Sequence, residues 1–104
     1  ALINTEDSSR LAEAETVLRA AVARDRENPQ AWYELGLVYG GKGDLPRANL
    51  ASAEQQIMSG SPAQALRSAM TAEVGLPKDS PDWIRAQDIS LQARAQLERK
   101  KDHK

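Results

Sequence analysis

Moving a proton, an acyl group or a phosphoryl group requires titratable or nucleophilic side chains at fixed spacing, and this chain offers few. Its one histidine, His103, stands beside the last residue, where no later element can orient it. The acidic pairs Glu13/Glu15 and Asp79/Asp82 are the remaining candidates for acid–base work. Residues two apart on a helix point to different faces, which separates Glu13 from Glu15. Asp79 and Asp82 fall at an expected helix start, where carboxylates favour the positive end of the helix dipole, so their placement has a structural reason. Gly40-Gly41-Lys42-Gly43 has the composition of a phosphate cradle, but it follows a predicted helix where such a loop follows a strand. The sequence holds no cysteine, no H-E-x-x-H, no G-x-x-x-x-G-K-[ST] and no G-x-S-x-G. The expectation is therefore a non-catalytic chain that holds no cofactor and binds no stoichiometric zinc, since a zinc site needs three or four placed ligands.

The elements that would position a binding surface are easier to read. At 104 residues the chain suits one small domain. Apolar residues make up 40%, many of them alanine, with two Trp, two Tyr and no Phe, which favours closely packed helices over a sheet. Asn28-Pro29, Ser61-Pro62 and Ser80-Pro81 each put a capping side chain ahead of a proline, whose missing N–H costs nothing in a first turn. Ser61 with Gln64 has the capping-box spacing, and Asp44 precedes Leu45-Pro46 in the same way. Gly40, Gly41, Gly43, Gly60 and Gly75 mark helix ends. The predicted helices are about 9–25, 29–41, 45–58, 62–74 and 81–100.

Net charge is −1 and the basic residues are spread along helical faces, which argues against a nucleic-acid partner. Arg99-Lys100-Lys101-Asp102-His103-Lys104 reads as a solvated tail. No run approaches the roughly 18 apolar residues of a membrane span, and the start lacks a signal-peptide layout. Beginning at Ala1 in mid-pattern, the chain is expected to be a processed protein or a piece of a longer one. The lack of cysteine leaves cytoplasm and periplasm both open.

Trp32, Leu35, Gly36 and Tyr39 stand at the spacing W-x2-L-G-x2-Y, and Ala48 follows inside Gly43-Asp44-Leu45-Pro46-Arg47-Ala48. The run Arg10 to Ala14 aligns with Asp44 to Ala48 at a separation of 34 residues, bringing Leu11 onto Leu45 and Ala14 onto Ala48. This resembles the tetratricopeptide (TPR) repeat. The resemblance implies an all-α antiparallel stack of about five helices, with a partial first repeat at 1–28, a full repeat at 29–62, an atypical terminal repeat at 63–96 and a basic tail at 97–104. Gly36, Ala14, Ala21 and Ala48 are then close helix crossings, and Trp32, Leu35, Tyr39, Leu11, Val17 and Leu18 fill the space between layers. Met58 and Met70 are expected as core or edge fillers. The long last helix, which carries Trp83, is expected to cap the stack. Ser52 and Gly60 depart from the repeat pattern, so residues 46–60 are expected to pack more loosely or to be capped differently.

In TPR proteins the first helix of each pair lines an inner groove. The matching positions here are Gln30, Tyr33, Leu37 and Gly40, then Gln64, Arg67, Thr71 and Val74. They form a mixed face with an apolar strip, suited to a protein or peptide partner, and lack the basic set that clamps a C-terminal carboxylate. The runs Ala48 to Glu54, Gly60 to Ala65 and above all Leu76-Pro77-Lys78-Asp79-Ser80-Pro81-Asp82-Trp83-Ile84-Arg85-Ala86-Gln87-Asp88-Ile89 are similar to the C-terminal TPR region of bacterial periplasmic zinc peptidases. That similarity implies a non-catalytic, periplasmic binding part of a metallopeptidase whose zinc ligands lie outside these residues, with substrate, partner proteins or the peptidase domain as occupants. A TPR adaptor with no peptidase is the alternative. Self-association through the truncated first repeat, around Leu2, Ile3 and Leu11, is a further possibility.

Overall fold

The computed structural model describes residues 5–102, and the side chains of residues 8–99; Leu2, Ile3, His103 and Lys104, with the expectations placed on them, lie outside. The described chain is all-α: α1 Thr5–Arg24, α2 Pro29–Gly41, α3 Leu45–Met58, α4 Pro62–Gly75 and α5 Pro81–Asp102. Helix α1 begins earlier than the expected residue 9 and takes in Ser8 and Ser9; both are exposed, where serine is tolerated in a helix. Helix α5 carries on through the basic run as far as Asp102.

Local signals set most boundaries. The Asn28 side chain accepts from the Ala31 N–H at 3.2 Å, Asp44 from Arg47 at 3.2 Å and Ser80 from Trp83 at 3.2 Å. Ser61 occupies the cap of α4 but makes no side-chain bond there, so the expected capping box does not form. At the end of α2 the Gly43 N–H reaches the Gly40 carbonyl and the Asp44 N–H reaches the Tyr39 carbonyl, with Gly43 at φ +79°. This is a Schellman closure, and the left-handed residue must be glycine. Gly60 at φ +78° closes α3 in the same manner, with the Ser61 N–H on the Gln56 carbonyl.

Gly75 ends α4 as expected, though not through a left-handed turn. It is the last helical residue of α4, with no left-handed conformation, and a Cβ there would sit 2.5 Å from Cγ of Pro46. Its smallness is a contact requirement between α3 and α4. Gly40, also helical, has nothing within 4 Å of an added Cβ. Gly75→Ala is therefore expected to destabilise by about 1–3 kcal/mol through overpacking, whereas Gly40→Ala stabilises by about 0.5–1 kcal/mol through helix propensity. Urea melts of the two variants check the opposite signs.

Each helix packs on its chain neighbour, and α5 also touches α3, giving an elongated stack of 53 × 26 × 25 Å. The core has two parts joined at α3. One holds Leu50, Ala53 and Ile57 against Ala65, Ala69, Ala72 and Leu76 of the α4 segment and Ala86, Ile89 and Ala93 of α5, with Trp83 packed at its margin. Alanines at zero exposure line both sides of this contact, so the α3, α4 and α5 backbones lie close together. The other part gathers Val22, Ala31, Trp32, Leu35, Tyr39 and Ala51, with Leu18, Ala21 and Ala48 partly buried against it. Gly36 faces α3, where an added Cβ would meet the Ala48 carbonyl and the Ala51 Cβ at 3.6 Å, ordinary contact distances, so the crossing does not itself demand glycine.

Two packing expectations are corrected. Val17 is 65% exposed, because α1 packs on α2 alone and only one of its faces is covered. Helix α3 is tightly packed, with Ala51, Ala53 and Glu54 almost fully buried, because neighbours enclose it on several sides; the departure at Gly60 is one of capping only.

Candidate protein-binding surface

All the positions expected to line an inner groove are exposed. On α2, Gln30, Tyr33 and Leu37 fall at i, i+3 and i+7 and share one stripe, with Tyr33 and Leu37 more than half exposed. On α4, Gln64, Arg67, Thr71 and Val74 form a second stripe, and Val74 is 90% exposed. Some of their polar groups are already engaged: Gln30 Nε2 donates to Glu34 Oε1, and Thr71 Oγ1 donates to the Arg67 carbonyl one turn back. The two stripes are not brought together by direct contact, since α2 and α4 do not touch and α3 packs on both.

A different face carries the more structured chemistry. Helices α1 and α5 both stand clear of one another, and between them the outer side of α3 is left open. A cavity of about 350 Å³ lies there, with Trp32, Leu35, Leu50 and Ala51 at its apolar floor. A second of about 670 Å³ continues past Pro29, Ile57 and Met58; Arg26, Glu54 and Arg85 border both. These three residues form the central feature. Glu54, 1% exposed, accepts Nε of Arg85 at 2.8 Å on one oxygen and Nη2 at 2.6 Å on the other, a two-point pairing that holds both groups in one plane. That hydrogen bonding raises the Arg85 guanidinium above its ordinary pKa despite the opposing effect of burial. Arg26 stands 3.6 Å from Glu54 and 5.8 Å over the Trp32 ring, while the Trp32 indole N–H donates to the Arg26 carbonyl at 2.9 Å.

Towards the other end, Arg47 donates Nε to Asp82 at 3.1 Å and tethers α3 to the start of α5. Burial of Tyr39 pushes its phenol pKa up, and the Glu15 charge adds to this. Glu15 itself pairs with Lys42 and with Arg19, linking α1 to the end of α2. The Lys42 hydrogen bond holds the Glu15 carboxyl below the usual glutamate range.

A group with a depressed folded pKa contributes stability above its unfolded pKa and loses it as pH falls through the lower folded value. Acidification through and below the usual glutamate range should therefore loosen α1 from α2 ahead of the rest of the stack. Amide exchange across a pH series checks this: protection of residues 10–22 should fall before that of α3 and α4, and Glu15→Gln should remove the difference.

Neither Glu54 nor Arg85 was singled out by sequence reasoning. The available signal was Glu54 itself, a carboxylate spaced i+4 from Leu50 and i−3 from Ile57, in the middle of an apolar stripe. A charge at such a position requires a buried counter-charge. Among the described residues every buried side-chain N or O has a hydrogen-bond partner, and no group of three or more His, Cys, Asp or Glu side chains is placed to hold a metal ion. No described helix is long and apolar enough to cross a membrane. No protein-family model, curated protein or solved structure matches the chain. What the described surface offers is guanidinium groups beside apolar side chains.

Proposed function

We propose that this chain is a non-catalytic protein-interaction domain of TPR type, and that it is the C-terminal repeat part of a bacterial periplasmic zinc metallopeptidase. The observation that carries the TPR reading is the joint placement of Trp32, Leu35 and Tyr39 in one buried cluster while Gly36 faces α3. The W-x2-L-G-x2-Y spacing needs those roles at those positions. The exposed stripes on α2 and α4 then serve as the partner surface, and zinc belongs to the parent protein, outside this chain. The peptidase assignment rests on the likeness of Leu76 to Ile89. A TPR adaptor without a peptidase is the second reading, favoured by apolar residues exposed on separate helices, Tyr33 and Leu37 on one and Met70 and Val74 on another, which suits a bridge between two proteins.

The test has two parts. The coding sequence upstream of Ala1 is read for a helix bearing H-E-x-x-H. Isotope-labelled chain is then titrated with the protein domain encoded there, following backbone amides. The expected result is perturbation at Tyr33 and Arg67, weakened in Tyr33→Ala/Arg67→Ala at unchanged melting temperature; truncating such anchors typically costs about 2 kcal/mol or more of binding. Shifts confined to the α1 end, with Tyr33 and Arg67 silent, would sink the assignment of those stripes.

A further inference from the structure

Resting on the reading of the chain as a protein-binding domain, we infer that the open face of α3 between α1 and α5 is a second docking groove, and that it takes a short protein segment carrying a carboxylate next to an apolar side chain. The groove's dimensions suit such a segment. From Arg47 to Met58 the floor helix rises about 16 Å, which matches about five residues of extended chain. The cavity over Trp32 and Leu35, about 350 Å³, has room for a large apolar side chain.

The charge pattern selects the sign of the occupant. Arg19, Arg26, Arg47 and Arg85 border the first cavity against two carboxylates, Glu54 and Asp82. Glu54 has both oxygens committed to Arg85, and Asp82 is bonded to Arg47. Among the described residues Arg26 is left with the 3.6 Å approach to Glu54 and donates no guanidinium hydrogen bond, although 59% of its side chain faces solvent. Arg19, 63% exposed, has only a 3.4 Å bond to Glu15, which Lys42 also holds. Two exposed guanidiniums with donors to spare thus stand on the wall beside an apolar, aromatic-floored cavity. A carboxylate in the groove can pair with either of them through charge-assisted hydrogen bonds, and Arg26 is already positioned over the Trp32 ring. A continuous phosphate chain fits less well, because Glu54 and Asp82 line the same groove.

The probe is a random dodecapeptide library displayed on phage and selected on the full chain, followed by titration of synthetic winners into labelled protein. Enriched peptides are expected to carry Asp or Glu beside Leu, Phe or Trp and to shift the Trp32 indole N–H and the Arg26 and Arg85 Nε signals. Arg19→Gln/Arg26→Gln should weaken them at least about tenfold in a chain that far-ultraviolet dichroism shows to be still folded, and affinity should fall in 0.5 M salt. Tyr33→Ala/Arg67→Ala should leave them unchanged. Winners that shift Tyr33 and Arg67 instead overturn this groove but leave the binding-domain reading standing. Winners without acidic residues, or displacement by a dodecathymidylate competitor, overturn the occupant's chemistry. A library that yields no saturable binder overturns both.

Discussion

Trp32→Ala is expected to lower the unfolding free energy by about 3–5 kcal/mol, a large share of what so small a domain has. The indole fills the centre of the cluster formed by Val22, Leu35, Tyr39 and Ala51, and it is the piece that α1, α2 and α3 have in common. Its removal leaves a void among Val22, Leu35, Tyr39 and Ala51, and the lost burial and residual cavity set the cost. The variant also loses the indole bond to the Arg26 carbonyl, which ties down the turn between α1 and α2. Chemical denaturation followed by far-ultraviolet dichroism gives the number; a midpoint within measurement error of the parent would show that the cluster does not hold the stack together. Leu18→Ala, at the margin of the same cluster, should cost visibly less.

The second large effect is expected at the Glu54–Arg85 pair. Arg85→Ala leaves a nearly fully buried carboxylate whose only other cation among the described residues is Arg26 at 3.6 Å, and breaking a buried pair from one side typically costs about 3–5 kcal/mol. Glu54→Leu with Arg85→Leu removes both charges and retains most of the volume, so it should return to within about 1 kcal/mol of the parent or exceed it. The comparison of the single with the double variant is what matters. If Arg85→Ala were as mild as an exposed ion-pair deletion, about 0–1 kcal/mol, Glu54 would have to be reaching solvent in solution. A double variant as unstable as Arg85→Ala would mean that the polar pair specifies how α5 sits on α3.

Much of this architecture could be read from local chemistry. Asn28-Pro29, Asp44-Leu45-Pro46 and Ser80-Pro81 start helices because their side-chain oxygens satisfy first-turn N–H groups within three residues, and Gly43 and Gly60 stop them because only glycine enters the left-handed region without cost. The resemblance to the TPR pattern implied Trp32, Leu35 and Tyr39 as core and Tyr33 and Leu37 as surface, and the structure buries the first three and exposes the other two. The capping and glycine signals act between residues close in sequence, so they are present before any tertiary contact forms.

The pattern misled where the answer depended on how many neighbours a helix acquires. Val17 has the same apolar character as Val22, yet α1 is covered on one side and Val17 stays in solvent. Gly75 ends α4 as a stop signal should, but it is small because the Pro46 ring arrives from α3, a contact 29 residues away in the chain. Ser61 had the composition of a capping box and forms none.

The sequence by itself determined the helices and their order, because capping and glycine conformation are local, and among the buried residues it marked out Trp32, Leu35 and Tyr39. Only the tertiary structure decided that Glu54 meets Arg85 across 31 residues, and that α1 and α5 leave the outer side of α3 open. A buried ion pair and a groove both depend on distances between elements remote in the chain, and no local spacing encodes those distances.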